Sequence, residues 1–84
     1  MKKILIYSKD ICPYCTKAKN LLQRKGVEFE EIKIISDELK QEMIAKSNGR
    51  MTVPQIFIGD FHVGGCDDLY ALESAGKLND LLEK

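Results

Sequence analysis

Two cysteines that lie three residues apart, Cys12 and Cys15, constrain this chain more than any other feature of its sequence. They follow the apolar run Ile4-Leu5-Ile6-Tyr7 and open an amphipathic segment, which predicts a position between a buried strand and a helix. Pro13 suits the first turn of that helix, because its missing N–H would have no partner there. A C-x-x-C pair in this setting is more typical of a redox motif than of a structural disulfide.

The two thiols are expected to differ because they occupy different positions on the helix. A helix N-terminus carries partial positive charge and unpaired N–H groups, which favour a thiolate at Cys12. Cys15 lies one turn further along the same face. The spacing therefore predicts a reactive thiolate at Cys12 and a second thiol close enough to attack a disulfide formed there.

Composition excludes several classes of function. The chain has 84 residues, predicted as a single domain over residues 1–84, and its 44% of apolar residues suffices for a core. Thirteen basic residues balance thirteen acidic ones, so we expect no nucleic-acid or membrane binding. The apolar stretches are too short to span a bilayer or to serve as a signal peptide. We therefore expect a cytoplasmic protein, or a mature form that lacks its targeting segment.

Apolar periodicity predicts a β-α-β unit in the first half of the chain. Strands are expected at residues 3–7 and 27–34, with a helix at 13–25 between them. Apolar residues change face near Glu30-Glu31, which predicts a bulge or a strand end there. Such a unit implies two parallel strands joined by a right-handed crossover.

The second half predicts one helix, a hairpin and a closing helical segment. Ser36 is expected to cap a helix that ends at Asn48-Gly49. Residues 55–58 and 61–63, separated by two residues, predict an antiparallel hairpin, and helices are expected at about 66–75 and from residue 78. The chain is therefore predicted to be an α/β domain, a four-stranded mixed sheet flanked by helices in the order β-α-β-α-β-β-α.

Thr52-Val53-Pro54 is a second signal, because a proline begins a predicted strand. Such a proline is often trans and on an edge strand, and only about 5–6% of X–Pro bonds in folded proteins are cis. The surrounding motifs favour the cis form here. It would turn the N–H and C=O of Val53 outward, free to pair with an extended peptide.

Gly64-Gly65-Cys66-Asp67-Asp68 is a third signal, at the predicted start of a helix. Acidic residues favour the first turn of any helix, which is the simpler interpretation. Exposed N–H groups at a helix start also bind a carboxylate, and nearby Asp side chains bind an ammonium group. A free α-amino-acid end, such as the γ-linked glutamate of glutathione, presents both groups at once.

Together the three segments resemble those of a dithiol glutaredoxin of the small bacterial type. The resemblance extends over nearly the whole chain, including Asp68-Leu69-Tyr70-Ala71-Leu72. It implies a thioredoxin-like fold, a cis Pro54 and glutathione as co-substrate, with no tightly bound cofactor and no metal. It also implies a monomer that acts on disulfide-containing or glutathionylated proteins.

The same resemblance implies roles for individual residues. Cys12 would be the nucleophile and Cys15 the resolving thiol. Lys9 would contact the glycyl carboxylate of glutathione, and the other expected contacts are Tyr14, Thr52, Val53, Pro54, Gly65, Cys66, Asp67 and Asp68. Within that set, Tyr14 would form a wall of the groove and Val53 would pair with the glutathione backbone. Gln41 and Arg50 are weaker candidates for further contacts.

Other interpretations are open at this stage. Cys12, Cys15, His62 and Cys66 are a permitted zinc set, although nothing in the sequence makes them converge, and His62 is otherwise expected to be an exposed strand residue. An iron–sulfur carrier would usually have Gly and Ser in and after the motif, unlike Pro13-Tyr14-Cys15. A protein reduced by thioredoxin reductase is disfavoured because Lys9 and the two aspartates complement the charged ends of glutathione.

Overall fold

The computed structural model describes residues 2–83 and contains one four-stranded sheet with helices on both faces. The predicted fold class and element order are confirmed, and Met1 and Lys84, the ends of the predicted domain, lie outside the described residues. Among residues 2–83, no helix is both long enough and apolar enough to cross a membrane. In chain order the elements are β1 (Ile4–Ser8), α1 (Pro13–Arg24), β2 (Glu30–Lys33), α2 (Asp37–Lys46), β3 (Gln55–Ile58), β4 (Phe61–Gly64), α3 (Cys66–Ser74) and α4 (Leu78–Glu83).

The sheet has the strand order β2-β1-β3-β4. β1 and β2 are parallel, as the predicted crossover requires, and the other two pairs are antiparallel. Gly59-Asp60 connects β3 to β4, which confirms the predicted hairpin. Ser36 caps α2 by accepting the N–H of Leu39 at 3.2 Å.

The second strand was predicted too long. Only Glu30–Lys33 is β2, whereas the sequence pattern predicts a strand over residues 27–34. Gly26, at φ +72°, ends α1, and the N–H of Val27 bonds back to the carbonyl of Leu22, so the chain is still held to the helix at that point. Pairing with β1 begins only at Glu30, where the apolar residues change face.

Side chains of β1 alternate between two apolar cores, one on each face of the sheet. Ile4 and Ile6 belong to the larger core, which also contains Leu22 of α1 and Leu69 of α3. Tyr7 belongs to a smaller core on the opposite face, with Met43 of α2 and Phe57 of β3. The larger core therefore fixes α1 and α3 against the same face of the sheet.

The register of the sheet brings the three motif segments to the same end of the sheet, where β1 and β4 stop and β3 begins. Tyr7, near the end of β1, lies opposite Gln55 at the start of β3. Gly64, at the end of β4, lies opposite Ile56. The loops before α1, before β3 and before α3 therefore emerge side by side, although they are far apart in the sequence.

Candidate active site

Cys12 is the N-cap of α1, and Pro13 occupies the first turn, as predicted. The sulfur of Cys12 accepts the backbone N–H of Cys15 at 3.3 Å. The two cysteines are paired as a disulfide, with their Cα atoms 5.2 Å apart. An N–H group at the positive end of a helix thus points at the Cys12 sulfur, where it favours a negative charge.

The two sulfurs differ in their access to solvent. Cys12 is 9% exposed and lines a cleft, whereas Cys15 is 1% exposed and packs beneath it on α1. A substrate that enters the cleft meets Cys12 first. The geometry therefore distinguishes an outer thiol from an inner one.

The loop between β1 and α1 is attached to β2 and the residue after it. The hydroxyl of Ser8 donates to the Glu31 carboxylate at 2.5 Å, and the N–H of Ile34 donates to the carbonyl of Ser8 at 2.7 Å. Lys33 and Asp10 form an exposed ion pair at 2.9 Å, and this contact holds the pKa of Asp10 below its usual value. These contacts fix the backbone on the N-terminal side of Cys12.

One cleft of about 530 Å³ contains Cys12, and we name it the Cys12 cleft. Lys9, Tyr14, Thr52 and Val53 line it, as predicted for glutathione contacts. Its other lining residues are Ile11, Pro13, Ile34, Lys40, Met43 and Met51. The cleft is thus an apolar groove with two lysine ammonium groups.

A smaller cleft of about 160 Å³ lies beside α3, and we name it the Asp67 cleft. It is lined by Tyr14, Arg50, Thr52, Val53, Pro54, Gly65, Cys66, Asp67 and Asp68. Tyr14, Thr52 and Val53 line both clefts. All the residues predicted to contact glutathione except Gln41 therefore line one of two adjoining clefts.

Gln41 does not line either cleft, and Lys40 lines the Cys12 cleft instead. Met43, three residues after Lys40, is buried under the sheet and sets the inward face of α2. Residues three apart on a helix share a face, so Lys40 lies toward the cleft and Gln41 is turned away. The resemblance implies a polar residue of α2 at this place, and the structure assigns Lys40 to it in place of Gln41.

Asp68 already has partners within the protein. Its Oδ2 accepts the N–H of Gly65 at 2.8 Å and contacts Nη1 of Arg50 at 3.1 Å. Because of these contacts, first the Gly65 hydrogen bond and then the Arg50 guanidinium, the pKa of Asp68 lies below its usual value. Asp68 thus holds the start of α3 in place. The Val53-Pro54 peptide, which lines the same cleft, is cis, as predicted.

Cys66 is a buried free thiol at the first position of α3. Burial raises its pKa, so the protonated form is favoured at this site. Its packing matches the small, partly buried helix-start residue expected from the sequence. Cys66 therefore differs from Cys12 and Cys15, which are paired with each other as a disulfide.

His62 is not the exposed strand residue that the sequence suggested. Its Nε2 lies 2.7 Å from Oε1 of Gln55, and its ring stacks on Phe57 with centroids 4.8 Å apart. The buried amide of Gln55 donates to the carbonyl and hydroxyl of Thr52 at 3.0 and 3.2 Å. Because that amide is the donor to Thr52, Oε1 must accept, and Nε2 of His62 carries the proton. Burial, with Arg50 nearby, lowers the pKa of His62.

The described residues do not assemble a metal site. Across residues 2–83, no group of three or more His, Cys, Asp or Glu side chains is placed to hold a metal ion. His62, one member of the alternative zinc set, is directed at Gln55.

Comparisons with known proteins agree on one family. A model of the glutaredoxin family matches residues 4–63. Glutaredoxin 3 of Escherichia coli K12 is 53% identical over 83 residues, which is 99% of this chain and 100% of that protein. A solution structure of glutaredoxin from Brucella melitensis is 58% identical, with a TM-score of 0.86, and the match covers 98% of this chain and 89% of that one. A crystal structure of a buckwheat glutaredoxin–glutathione complex is 30% identical, with a TM-score of 0.89. That match covers 98% of this chain and 77% of the buckwheat chain.

The hydrogen bonds that link His62 to Gln55 and Gln55 to Thr52 can be tested by substitution of His62. His62→Phe keeps an aromatic ring against Phe57 but leaves the buried Oε1 of Gln55 without a donor. We expect the free energy of unfolding to fall by about 1–3 kcal/mol in urea denaturation. Asp60→Asn, an exposed change in the same hairpin, is the control. Equal stability of His62→Phe and the unmutated protein would show that this hydrogen bond does not hold the segment.

Proposed function

The chain belongs to the glutaredoxin family of thiol–disulfide oxidoreductases, and on that premise we propose that Cys12 and Cys15 exchange disulfides with glutathione as co-substrate. The observation that carries the proposal is the difference between the two thiols. Cys12 lines a cleft at the positive end of α1, whereas Cys15 lies beneath it. We further propose that the protein acts as a cytoplasmic monomer on disulfide-containing or glutathionylated proteins.

The first step is attack by Cys12. In the reduced protein, its thiolate attacks one sulfur of a substrate disulfide, so that a new S–S bond forms as the old one breaks. The electron pair of the broken bond leaves with the departing sulfur as a thiolate. The N–H of Cys15, directed at the Cys12 sulfur, favours the thiolate before attack and whenever Cys12 is the leaving group.

The second step depends on the substrate. When Cys12 carries glutathione, the thiolate of a second glutathione attacks the glutathione sulfur, and oxidised glutathione departs as Cys12 is freed. When Cys12 carries a protein, the thiolate of Cys15 attacks the Cys12 sulfur and releases the reduced protein. The resulting Cys12–Cys15 disulfide is then reduced by two glutathione molecules, which leave as one oxidised glutathione.

The two clefts provide complementary charges for the two ends of glutathione. Lys9 and Lys40 line the Cys12 cleft and suit the glycyl carboxylate. Asp67, which is exposed at the start of α3, suits the γ-glutamyl ammonium group, and the N–H groups of that helix end suit its carboxylate. Val53 lines both clefts and lies between the two ends, where its backbone can pair with the cysteinyl residue of glutathione.

Asp67 and Asp68 are proposed to contribute unequally to binding of the γ-glutamyl end of glutathione. Asp68 is held by Gly65 and Arg50, so part of its hydrogen-bonding capacity is already used. We propose that Asp67 makes the stronger contact with the ammonium group. Asp68 contributes negative charge and holds the helix start on which the whole γ-glutamyl site is built.

Substitution of each motif cysteine tests the assigned roles. Cys12→Ser should abolish all exchange, because the attacking sulfur is lost. Cys15→Ser should still remove glutathione from a mixed disulfide but lose most reduction of protein disulfides. The measurement is turnover of both substrate types in an assay coupled to glutathione reductase.

Cys66→Ser serves as the matched control for these variants, since it removes the third thiol but not the motif. The assignment is wrong if Cys15→Ser is inactive toward glutathione mixed disulfides while Cys12→Ser retains activity.

Separate substitutions of the two aspartates test the proposed division of roles. Asp67→Ala should raise the KM for a glutathione mixed disulfide about tenfold, because a charge-assisted contact at an exposed site is lost. It should have little effect on stability, since the residue is exposed. A mixed disulfide of cysteamine, which lacks the γ-glutamyl end, is the control substrate. Equal losses on both substrates would contradict a role for Asp67 in glutathione recognition.

Unlike Asp67→Ala, Asp68→Ala should lower the free energy of unfolding, by about 1 kcal/mol at pH 7. Folding lowers the pKa of Asp68, so its contribution is complete above the unfolded value of about 3.9 and is lost as the pH falls through the lower folded value. The difference from the unmutated protein should therefore disappear in strong acid. A difference that persists unchanged at about pH 2 would show that it does not come from the carboxylate.

A further inference from the structure

Ile11, the residue directly before Cys12, has an unfavourable backbone conformation that no burial of its side chain offsets. Its φ is +53°, in the left-handed region that β-branched residues rarely adopt. Its side chain is 97% exposed, so burial of the side chain does not compensate. A backbone outlier of this kind, next to a reactive sulfur, indicates that the side chain contacts another molecule.

Large exposed apolar side chains are concentrated at the Cys12 cleft. Five are present among the described residues, Ile11, Tyr14, Ile35, Met51 and Phe61. Ile11, Tyr14 and Met51 all line the Cys12 cleft. Scattered exposed apolar residues need no explanation, but three around one cleft indicate a surface that contacts a partner.

Glutathione does not account for this apolar rim. Apart from its cysteine, glutathione consists of a γ-linked glutamate and a glycine, so it has no large apolar side chain to pack against Ile11 or Met51. The contacts proposed for it fall on Lys9, Lys40, Tyr14 and the residues of the Asp67 cleft. Ile11 and Met51 therefore need a larger partner.

The charge of the cleft restricts what that partner is. Among the described residues that line it, Lys9 and Lys40 carry positive charge and none carries a carboxylate. A peptide segment with an acidic residue would be attracted, and one with a basic residue would be repelled. Shape and charge together describe an extended segment that is both apolar and acidic.

We propose that the Cys12 cleft selects protein disulfides in which the attacked cysteine has a large apolar neighbour and an acidic residue nearby. The apolar side chain packs on Ile11 and Met51, and the acidic side chain meets Lys40. This specificity rests on the proposed function, because the segment reacts by the attack of Cys12 and the release by Cys15 described above. It adds a protein-recognition role for Ile11 and Met51, which glutathione does not use, and a second role for Lys40.

Four disulfide-bonded model peptides test the proposal. They differ only beside the attacked cysteine, where they carry Leu or Gly, and at a nearby position that carries Glu or Lys. Fully reduced protein is mixed with each peptide, and the rate of a single turnover is measured by stopped flow without glutathione. The unmutated protein should react fastest with the Leu–Glu peptide.

Ile11→Asn is the informative variant, because Asn adopts positive φ more readily than Ile. The preference for Leu over Gly should fall about tenfold, the effect expected when a buried aliphatic contact is lost. The thermal unfolding midpoint should stay level or rise. Lys40→Gln should instead reduce the preference for Glu over Lys and make the rate less sensitive to salt.

Three results would overturn the proposal. One is equal reaction of the unmutated protein with the Leu and Gly peptides. Another is an Ile11→Asn protein that keeps the full preference for Leu. The third is a fall in unfolding midpoint together with equal slowing on all four peptides, which would make Ile11 a residue that only shapes the loop. Since glutathione is absent, these results are independent of whether glutathione is the co-substrate, which the coupled assay tests separately.

Discussion

The hydrogen bond from the N–H of Cys15 to the sulfur of Cys12 is the interaction on which the proposed chemistry depends. It exists only because α1 begins at Pro13, directly after Cys12, and because that helix is fixed in position. Ala18, Leu21 and Leu22 bury one side of α1 in the larger core. The packing of an ordinary apolar helix face therefore determines the direction of an N–H group at the site, and with it the charge that the outer sulfur favours.

The sheet supplies the second requirement, which is that segments distant in sequence meet at Cys12. The pairing of Tyr7 with Gln55 and of Ile56 with Gly64 places the three loops at one edge. A one-residue slip in this register would move the side chains of each core to the opposite face of the sheet, so the packing of the two cores also aligns the site. The buried amide of Gln55 extends this alignment to Thr52, and Asp68 extends it to Gly65.

The sequence predicted the fold and the residues around the site because each depends on local pattern or on a motif. Alternation, caps and turn residues define the elements, and every predicted glutathione contact except Gln41 lines one of the two clefts. What it missed depends on tertiary geometry. The length of β2 is limited by the hydrogen bond from Val27 to α1, and the orientation of Lys40 rather than Gln41 depends on how α2 packs. His62 acquires its role only through a partner seven residues away on the neighbouring strand.

The proposed function requires that three separate segments form one surface for the molecule bound to Cys12. The most direct measurement is amide NMR of Cys15→Ser, which retains Cys12 and forms a lasting mixed disulfide with glutathione. The spectra of the free and glutathionylated protein are compared at each backbone N–H. We expect large shift changes at Val53, Cys66 and Asp67, in addition to those around Cys12. Changes confined to the neighbours of Cys12 would contradict it.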